Sequence, residues 1–478
     1  MYKLNKRIYI TLLGINLAMA SCMVPKSTTR PENTKMPSSF SGNENDTTST
    51  TSIPWQHFFN DPYLKALIDT ALANNQELNI TLQEIEIARN EVRAKKGAIL
   101  PSVGLKAGAG VEKVGRFTSQ GAGDASTEIE PGKEMPDPLG DFGLRAIASW
   151  EVDIWKKLRN AKKAAVSRYL ASAEGKNFVV TNLVAEVATS YYELLSLDNQ
   201  LEIVRQTILL QKNALAIVKV QKDAARVTEL AVQKFEAEVA SSQSLEFEIL
   251  QQIQETENRM RLLLGSYPKE IARAKTDFLN LAPAAISSGI PSQLLANRPD
   301  IRRAELELAA AKLDVKVARA EFYPSLDISA AVGLQAFNPS YLVKFPESIL
   351  YSLAGDLAGP LINRNAIKAE YNNANARQLQ AVYNYERSIL NGYLEVSTQL
   401  SRISNLEKSY ALKSRQVDAL TQSIAISNDL FKSARADYLE VLMTQRDALE
   451  AKLELIETKK NQWNAVVNVY KDLGGGWR

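Results

Sequence analysis

The sequence predicts a mixed α+β membrane protein in which very long antiparallel helices alternate with pairs of β-strands, the whole pattern occurring twice. Three observations carry this prediction. Two long stretches, Leu139 to Tyr267 and Leu361 to Arg478, contain no proline, although one proline inside a helix costs about 3 kcal/mol. Two pairs of short segments place apolar residues at every second position. Short matches between the two halves recur at constant offsets.

At the N-terminus, Lys3, Lys6 and Arg7 precede an apolar run from Ile8 to Ala20 that ends in the small residues Ala20 and Ser21. This is the pattern of a secretory signal over 1–21. Its apolar core is shorter than the roughly 20 residues that span a bilayer. Cys22 is the one cysteine of the chain, so it has no partner for an intramolecular disulfide. Met19-Ala20-Ser21-Cys22 resembles a bacterial lipobox, which makes Cys22 the candidate lipidation site and new N-terminus, with Met19 where that motif prefers Leu. An ordinary signal peptide with an incidental cysteine is the plainer alternative. The stretch 22–52 is rich in Ser, Thr, Asn, Pro and Lys, with almost no large apolar residue. It cannot bury a core and reads as a tether.

The rest, 53–478, has ordinary apolar content and is long enough for two or three domains. Lys and Arg number 57 against 54 Asp and Glu, so the chain has no basic field to hold nucleic acid. After the signal no stretch has 18 consecutive apolar residues. A membrane crossing by the mature chain therefore requires β-strands.

Within the proline-free stretches, Lys156 to about Lys219, Leu230 to Leu264, Asn363 to about Asn428 and Leu439 to Leu473 are rich in Ala, Leu, Glu, Gln, Lys and Arg, with apolar residues three and four apart. These are helices. At 1.5 Å per residue the third is roughly 100 Å long, which suggests a coiled coil or an extended helical barrel. Their apolar faces are too narrow for a solid core and suit staves standing side by side.

Before each helical block lie two segments of the opposite period. Leu326, Ile328, Ala330, Val332, Leu334 and Ala336 alternate with Asp327, Ser329, Gly333 and Gln335; Ile349, Tyr351, Leu353 and Leu357 alternate with Ser352, Ala354 and Asp356. The earlier pair is Val103 to Val111 and Phe142 to Ile154, separated by a long connector rich in Gly, Asp, Glu and Ser. Each pair reads as a β-hairpin. Ala88-Arg-Asn-Glu-Val92 with Ile99-Leu-Pro101-Ser102 parallels Ala311-Lys-Leu-Asp-Val315 with Phe322-Tyr-Pro324-Ser325 at an offset of 223, and Arg226, Leu230 and Val232 parallel Arg435, Leu439 and Val441 at 209. The chain is an internal tandem duplication. The expected segments are N-terminal helices at 53–101, a first hairpin at 102–155, a first helical hairpin at 156–265 and a connector at 266–298. The second repeat has a helix at 299–324, a hairpin at 325–361 and helices at 362–473, with a tail at 474–478.

Each predicted strand has the roughly 9 to 11 residues of a tilted membrane-spanning strand. Four strands cannot close a barrel, because membrane barrels begin at about eight. An open edge in lipid leaves backbone groups unpaired at several kcal/mol each. A membrane barrel must then be shared between chains. The alternative is a soluble sandwich with one hairpin packed on the other.

Across Trp55 to Trp477 the residues resemble the outer-membrane factors of tripartite efflux pumps, in the lipoprotein branch serving resistance-nodulation-division transporters. The resemblance is carried by Ile290-Pro-Ser-Gln-Leu-Leu-Ala-Asn-Arg-Pro-Asp-Ile-Arg-Arg-Ala-Glu305 and Ala318-Arg-Ala-Glu-Phe-Tyr-Pro324. Trp55 through Asp61-Pro62, Ser149-Trp-Glu-Val-Asp-Ile-Trp155, Leu263-Leu-Gly265, Asp437-Tyr-Leu-Glu-Val-Leu442 and Leu473-Gly-Gly-Gly-Trp477 add to it. Asn297 stands where the branch usually has Arg. The resemblance implies a homotrimer with a 12-stranded barrel in outer-membrane lipid, a 12-helix barrel through the periplasm and a mixed equatorial collar. It also implies a periplasmic adaptor (membrane fusion) protein and an inner-membrane pump that supplies the energy.

In such channels the periplasmic aperture lies at the helix turns, here Lys222 to Val232 and Phe431 to Val441. The resemblance points to Glu440 as a constricting carboxylate and Phe431 as a tip aromatic, with Arg226, Glu229, Arg435, Asp437 and Tyr438 beside them. Ala231 and Met443 occupy places where relatives carry Asp, and Ala434 replaces a frequent Gly. A ring of carboxylates raises local cation concentration. The plainer reading of Arg226, Glu229, Arg435 and Asp437 is as solvated turn residues with local charge pairs.

His57 is the one histidine, so no histidine-based metal site or triad can be assembled, and no P-loop is present. Neither catalysis nor a cofactor is expected. Two other functions stay open: a type I secretion exit duct of the same fold, against which the lipobox and the Gly-Gly-Gly-Trp ending lean, and a periplasmic coiled-coil adaptor without a pore.

Overall fold

The computed structural model describes residues 30–40, 50, 53–274, 278–282, 287–360, 362, 364–433 and 435–477. Cys22, the signal segment and most of the tether lie outside them, as does Ala434.

Both halves build the same series. In the first, α1 (Trp55–Phe58), α2 (Pro62–Asn74) and α3 (Gln76–Gly97) precede β1 (Ser102–Glu112). The connector is ordered into α4 (Ser119–Asp124) and a small hairpin of β2 (Glu128–Glu130) and β3 (Lys133–Glu134). Then come β4 (Leu139–Val152), α5 (Lys157–Asp223) and α6 (Glu229–Leu263). In the second half α7 (Leu294–Asn297) and α8 (Pro299–Ala320) precede β5 (Ser325–Ala336), β6 (Ile349–Ala358), α9 (Asn365–Lys432) and α10 (Tyr438–Asp472). The repeat offset falls from 223 to 209 because the loop at 113–138 has 26 residues and that at 337–348 has 12. Helix starts follow local chemistry: Asp61 accepts from the Tyr63 and Leu64 amides while Pro62 opens α2.

The chain folds as two compact units. Among the described residues, one comprises those within 87–169 and 306–382, with 30 and 31; the other comprises those within 32–86, 170–305 and 383–478.

The first unit is built on one four-stranded antiparallel sheet in the order β1-β4-β5-β6. The two hairpins lie side by side, joined by β4 and β5, so they do not form the sandwich. Register decides the faces, since directly opposed residues share a face. Val103 pairs with Ala148, Leu105 with Ala146 and Ala107 with Leu144. Leu144 pairs with Leu334 and Ala146 with Val332, and these meet Ile349 and Tyr351. One face is thus apolar across all four strands and open, with Leu105 83%, Tyr351 81% and Leu353 79% exposed. The opposite face carries Ser102, Lys106, Asp141, Arg145, Ser149, Glu151, Asp327, Gln335, Ser352 and Asp356. At the end leading into α5, the Trp150 indole donates to the Ile99 carbonyl and that of Trp155 to Pro324. Asp153 caps α5 through the Leu158 and Arg159 amides.

The second unit has a continuous core. Along α5, Val180, Val184, Val187, Ala188, Tyr191, Leu194 and Leu195 are buried against Leu64, Ile68 and Ala71 of α2 and Ile456, Val467 and Tyr470 of α10. This corrects the expectation of narrow staves throughout. Between Val180 and Leu195 α5 is covered nearly all round, because α2 and residues around Ile271 and Phe278 pack on its other sides. Nearer the turns the buried stripe narrows to residues such as Val204, Ile208 and Val218, as a stave requires. Among the described residues no helix is long and apolar enough to cross a membrane.

Candidate functional site

The two helix turns of the second unit superimpose in sequence and in hydrogen bonding. After α5 the Arg226 amide donates to the Gln221 carbonyl (2.8 Å), and after α9 the Arg435 amide donates to Leu430 (2.9 Å), each pair 209 residues apart from its counterpart. This six-to-one bond closes a helix C-terminus and requires a left-handed residue beside it. Ala225 fills that position with φ of 56°, without glycine's freedom from steric cost. The next helices start alike, with Ala231 donating to the Thr228 carbonyl and Glu440 to the Asp437 carbonyl.

The candidate residues divide into three groups. Phe431 and Tyr438 pack on a cluster of Val218, Ala231, Val232, Phe235 and Leu442 that binds one turn to the other. Half-buried, they serve packing as well as any tip. Glu229 is engaged: its carboxylate meets Lys222 at 2.8 Å and accepts from Gln233. Those bonds hold the Glu229 carboxyl below its ordinary range, and the Lys222 ammonium is raised by the same partner. Asp437 caps α10 through the Tyr438 amide. Arg226, Arg435 and Glu440 stand exposed and form no side-chain ion pair or hydrogen bond among the described residues. Glu440 lies in the first turn of α10, where the helix dipole favours a carboxylate.

Phe235 was not singled out from sequence, and Lys222 and Leu442 entered only as the ends of a tip and a motif, without a role. Lys222 and Glu229, seven positions apart across a turn, were a readable charge pair; the contact of Leu442 with Val218 and Phe235 needs the fold.

Two of the sequence motifs meet elsewhere in this unit. Arg298 is 6% exposed. Its guanidinium grips Asp300 with two bonds (2.7 and 3.0 Å), reaches Glu395 at 2.8 Å and donates to the Asp472 carbonyl at 2.7 Å. The Trp477 indole donates to the Asn297 carbonyl. Gly474, at φ of 94°, leaves only 2.5 Å between that carbonyl and any added Cβ. The Asn-Arg-Pro-Asp run and the Gly-Gly-Gly-Trp ending are therefore one structural clasp.

The comparisons agree with this architecture. The sequence profile of the family described as outer membrane efflux protein matches residues 67–266 and 290–475, one span in each repeat. The pyoverdine export outer membrane protein OpmQ of Pseudomonas aeruginosa is 28% identical over 424 residues, 89% of this chain and 87% of its own length. The cation efflux system protein CusC of Escherichia coli is 27% identical over 468 residues, 97% of this chain and 98% of its own. A crystal structure of CusC superimposes with a TM-score of 0.82 at 24% identity, covering 94% of this chain and 99% of that one. The open state of the Neisseria gonorrhoeae MtrE outer membrane channel does so at 0.82 and 22%, covering 95% and 98%. With two duplicated halves, one faced sheet and paired helical turns, all within the matched spans, this chain belongs to the outer membrane efflux protein family.

Proposed function

We propose that three copies of this chain form the passive exit duct of a tripartite efflux pump, sharing a 12-stranded outer-membrane barrel and a 12-helix barrel in the periplasm. The observation that carries this is the sheet. Its apolar face persists through all four strands, and β1 and β6 are its unpaired edges. The strands alternate in direction, so β6 of one copy meets β1 of the next in antiparallel fashion, and successive copies extend the same lipid-facing surface until the barrel closes. The pump supplies energy through a periplasmic adaptor, and the duct performs no chemistry. Curated relatives at similar identity carry names for pyoverdine export, toluene efflux and cation efflux, which suits a general duct.

In this reading Cys22 anchors the mature N-terminus by acylation, and Glu440, Asp437, Tyr438, Phe431, Arg435, Arg226 and Glu229 border the periplasmic aperture. Purified protein in planar bilayers tests the duct: small, gated conductance is expected, rising when Glu440 and Asp437 are both replaced by Ala. A trimer that never conducts, with or without these substitutions, overturns the proposal. Cys22→Ala should abolish labelling by a fatty-acid analogue; persistent labelling removes the anchor.

A further inference from the structure

The polar face of the sheet is banded in charge. At the end leading into α5, register places Glu151 opposite Asp327 and Asp327 opposite Asp356, three carboxylates in a row. Six residues further along β4, about 20 Å at strand rise, Lys106 lies directly opposite Arg145. The same level continues through Gly333 and Leu350 and contains no acid. Glu151 is compensated by Lys157 at 2.6 Å. Lys106 and Arg145 have no such compensation: neither forms an ion pair or hydrogen bond among the described residues.

Like charges directly opposed across two strands are unfavourable, so this pair calls for a reason beyond folding. The floor around it supplies one. Gly104, Gly108, Gly110, Gly143 and Gly333 all fall on this face. Of these, Gly108, Gly110 and Gly143 line a cavity of about 220 Å³ together with Lys106 and Arg145. At Gly333 the closeness is enforced, since an added Cβ would lie 2.2 Å from the Leu144 carbonyl and 2.6 Å from Arg145 Cβ. The nearest acid in the cavity is Asp141, already accepting from the Gln335 amide at 2.7 Å. A net positive, backbone-floored recess is thus held open where two cations stand unpaired.

We infer that Lys106 and Arg145 form an anion-binding band on the water-filled side of the barrel, receiving phosphate or carboxylate groups of passing solutes. The inference rests on the duct reading, which makes this face the lumen. Arg offers a planar fork to such groups and Lys a point charge, and closing the barrel with further copies repeats the pair around the wall, concentrating counter-ions.

The test uses the full-length oligomer in detergent, titrated with inorganic tripolyphosphate by calorimetry at low salt, beside the variant carrying Lys106→Gln and Arg145→Gln. Parent protein should bind, and the variant about tenfold more weakly or not at all, with the difference shrinking at high salt. Equal binding by both, or no binding by the parent, overturns the inference. Lys234→Gln, on the exposed side of α6, is the control for non-specific charge loss and should bind as the parent does; weakening equal to that of the double variant also overturns it. In planar bilayers, tripolyphosphate should block parent current and lose about tenfold potency on the double variant. Conductance with unchanged block in the variant refutes the luminal band while leaving the duct intact. Absence of conductance alongside variant-sensitive binding refutes the duct and leaves the anion site.

Discussion

Arg298 shows how a single buried charge ties distant parts of the second unit together. Burial works against the charged guanidinium, and the bonds to Asp300 together with the charge of Glu395 outweigh it. Arg298→Ala leaves Asp300 without its fork partner and the Asp472 carbonyl without its donor, a loss of about 3 to 5 kcal/mol for a broken buried pair, to be read as a lowered thermal transition. Arg298→Lys should rescue only part of it, because a point ammonium cannot make the two-bond grip. Asp472, alongside, has its carboxyl raised to about 6 by burial, with Glu395 adding and Lys471 and Arg298 opposing. Its unfolded value is about 3.9. Between those values the folded chain holds a proton that the unfolded chain releases, so stability falls as pH rises through the window and levels off above it. Asp472→Asn should flatten the slope and, at pH 7.5, leave the protein more stable by on the order of 2 kcal/mol; an unchanged pH profile of denaturant unfolding would contradict this.

The helix turns are the elements that the proposed aperture would rest on, and their two copies differ in one instructive way. The first turn carries the Lys222–Glu229 pair across its mouth; the second leaves Glu440 unengaged. Both close by the same backbone bond, and the first does so with an alanine in left-handed conformation. Ala225→Gly should stabilise that turn by up to about 1 kcal/mol, since the left-handed cost of about 1 to 2 kcal/mol is partly offset by glycine's greater freedom in the unfolded chain. Slower amide exchange at Arg226 and Val227 would register it, and faster exchange would show that the alanine is not strained. The turn positions were legible from the duplicated Arg-x-x-x-Leu pattern, and Asp437 as a turn residue from its type. That Phe431 and Tyr438 pack on the opposite helical hairpin was not legible, because no local pattern records which helices become neighbours.

For the whole molecule, the decisive feature is the exposed apolar face of the sheet, which the proposed duct turns toward lipid. Leu353→Lys on that face should cost about 2 to 4 kcal/mol when the residue lies near the bilayer midplane, whereas Ser352→Lys, one position along on the polar face, should cost far less. Folding yield into lipid vesicles separates the two. Equal yields would mean that the apolar face is covered by something other than lipid.

Alternation of period 2, the proline-free helical stretches and the two repeat offsets were sufficient to establish the strands, the long helices and the duplication, because each depends on residues near one another in the chain. The chemistry of Lys222, Glu229 and Asp437 was likewise local. Three matters belonged to the tertiary structure. β4 pairs with β5, which turned two hairpins into one sheet with a single apolar face; that register joins residues from 174 apart (Val152 with Leu326) to 194 apart (Phe142 with Ala336). The near-complete burial of α5 from Val180 to Leu195 arises from α2 and the 271–278 region packing on faces that the sequence of α5 leaves ambiguous. Lys106 and Arg145, 39 positions apart, became neighbours only through strand pairing. In each case the deciding energy is that of contacts between segments remote in sequence, which local composition and periodicity do not encode.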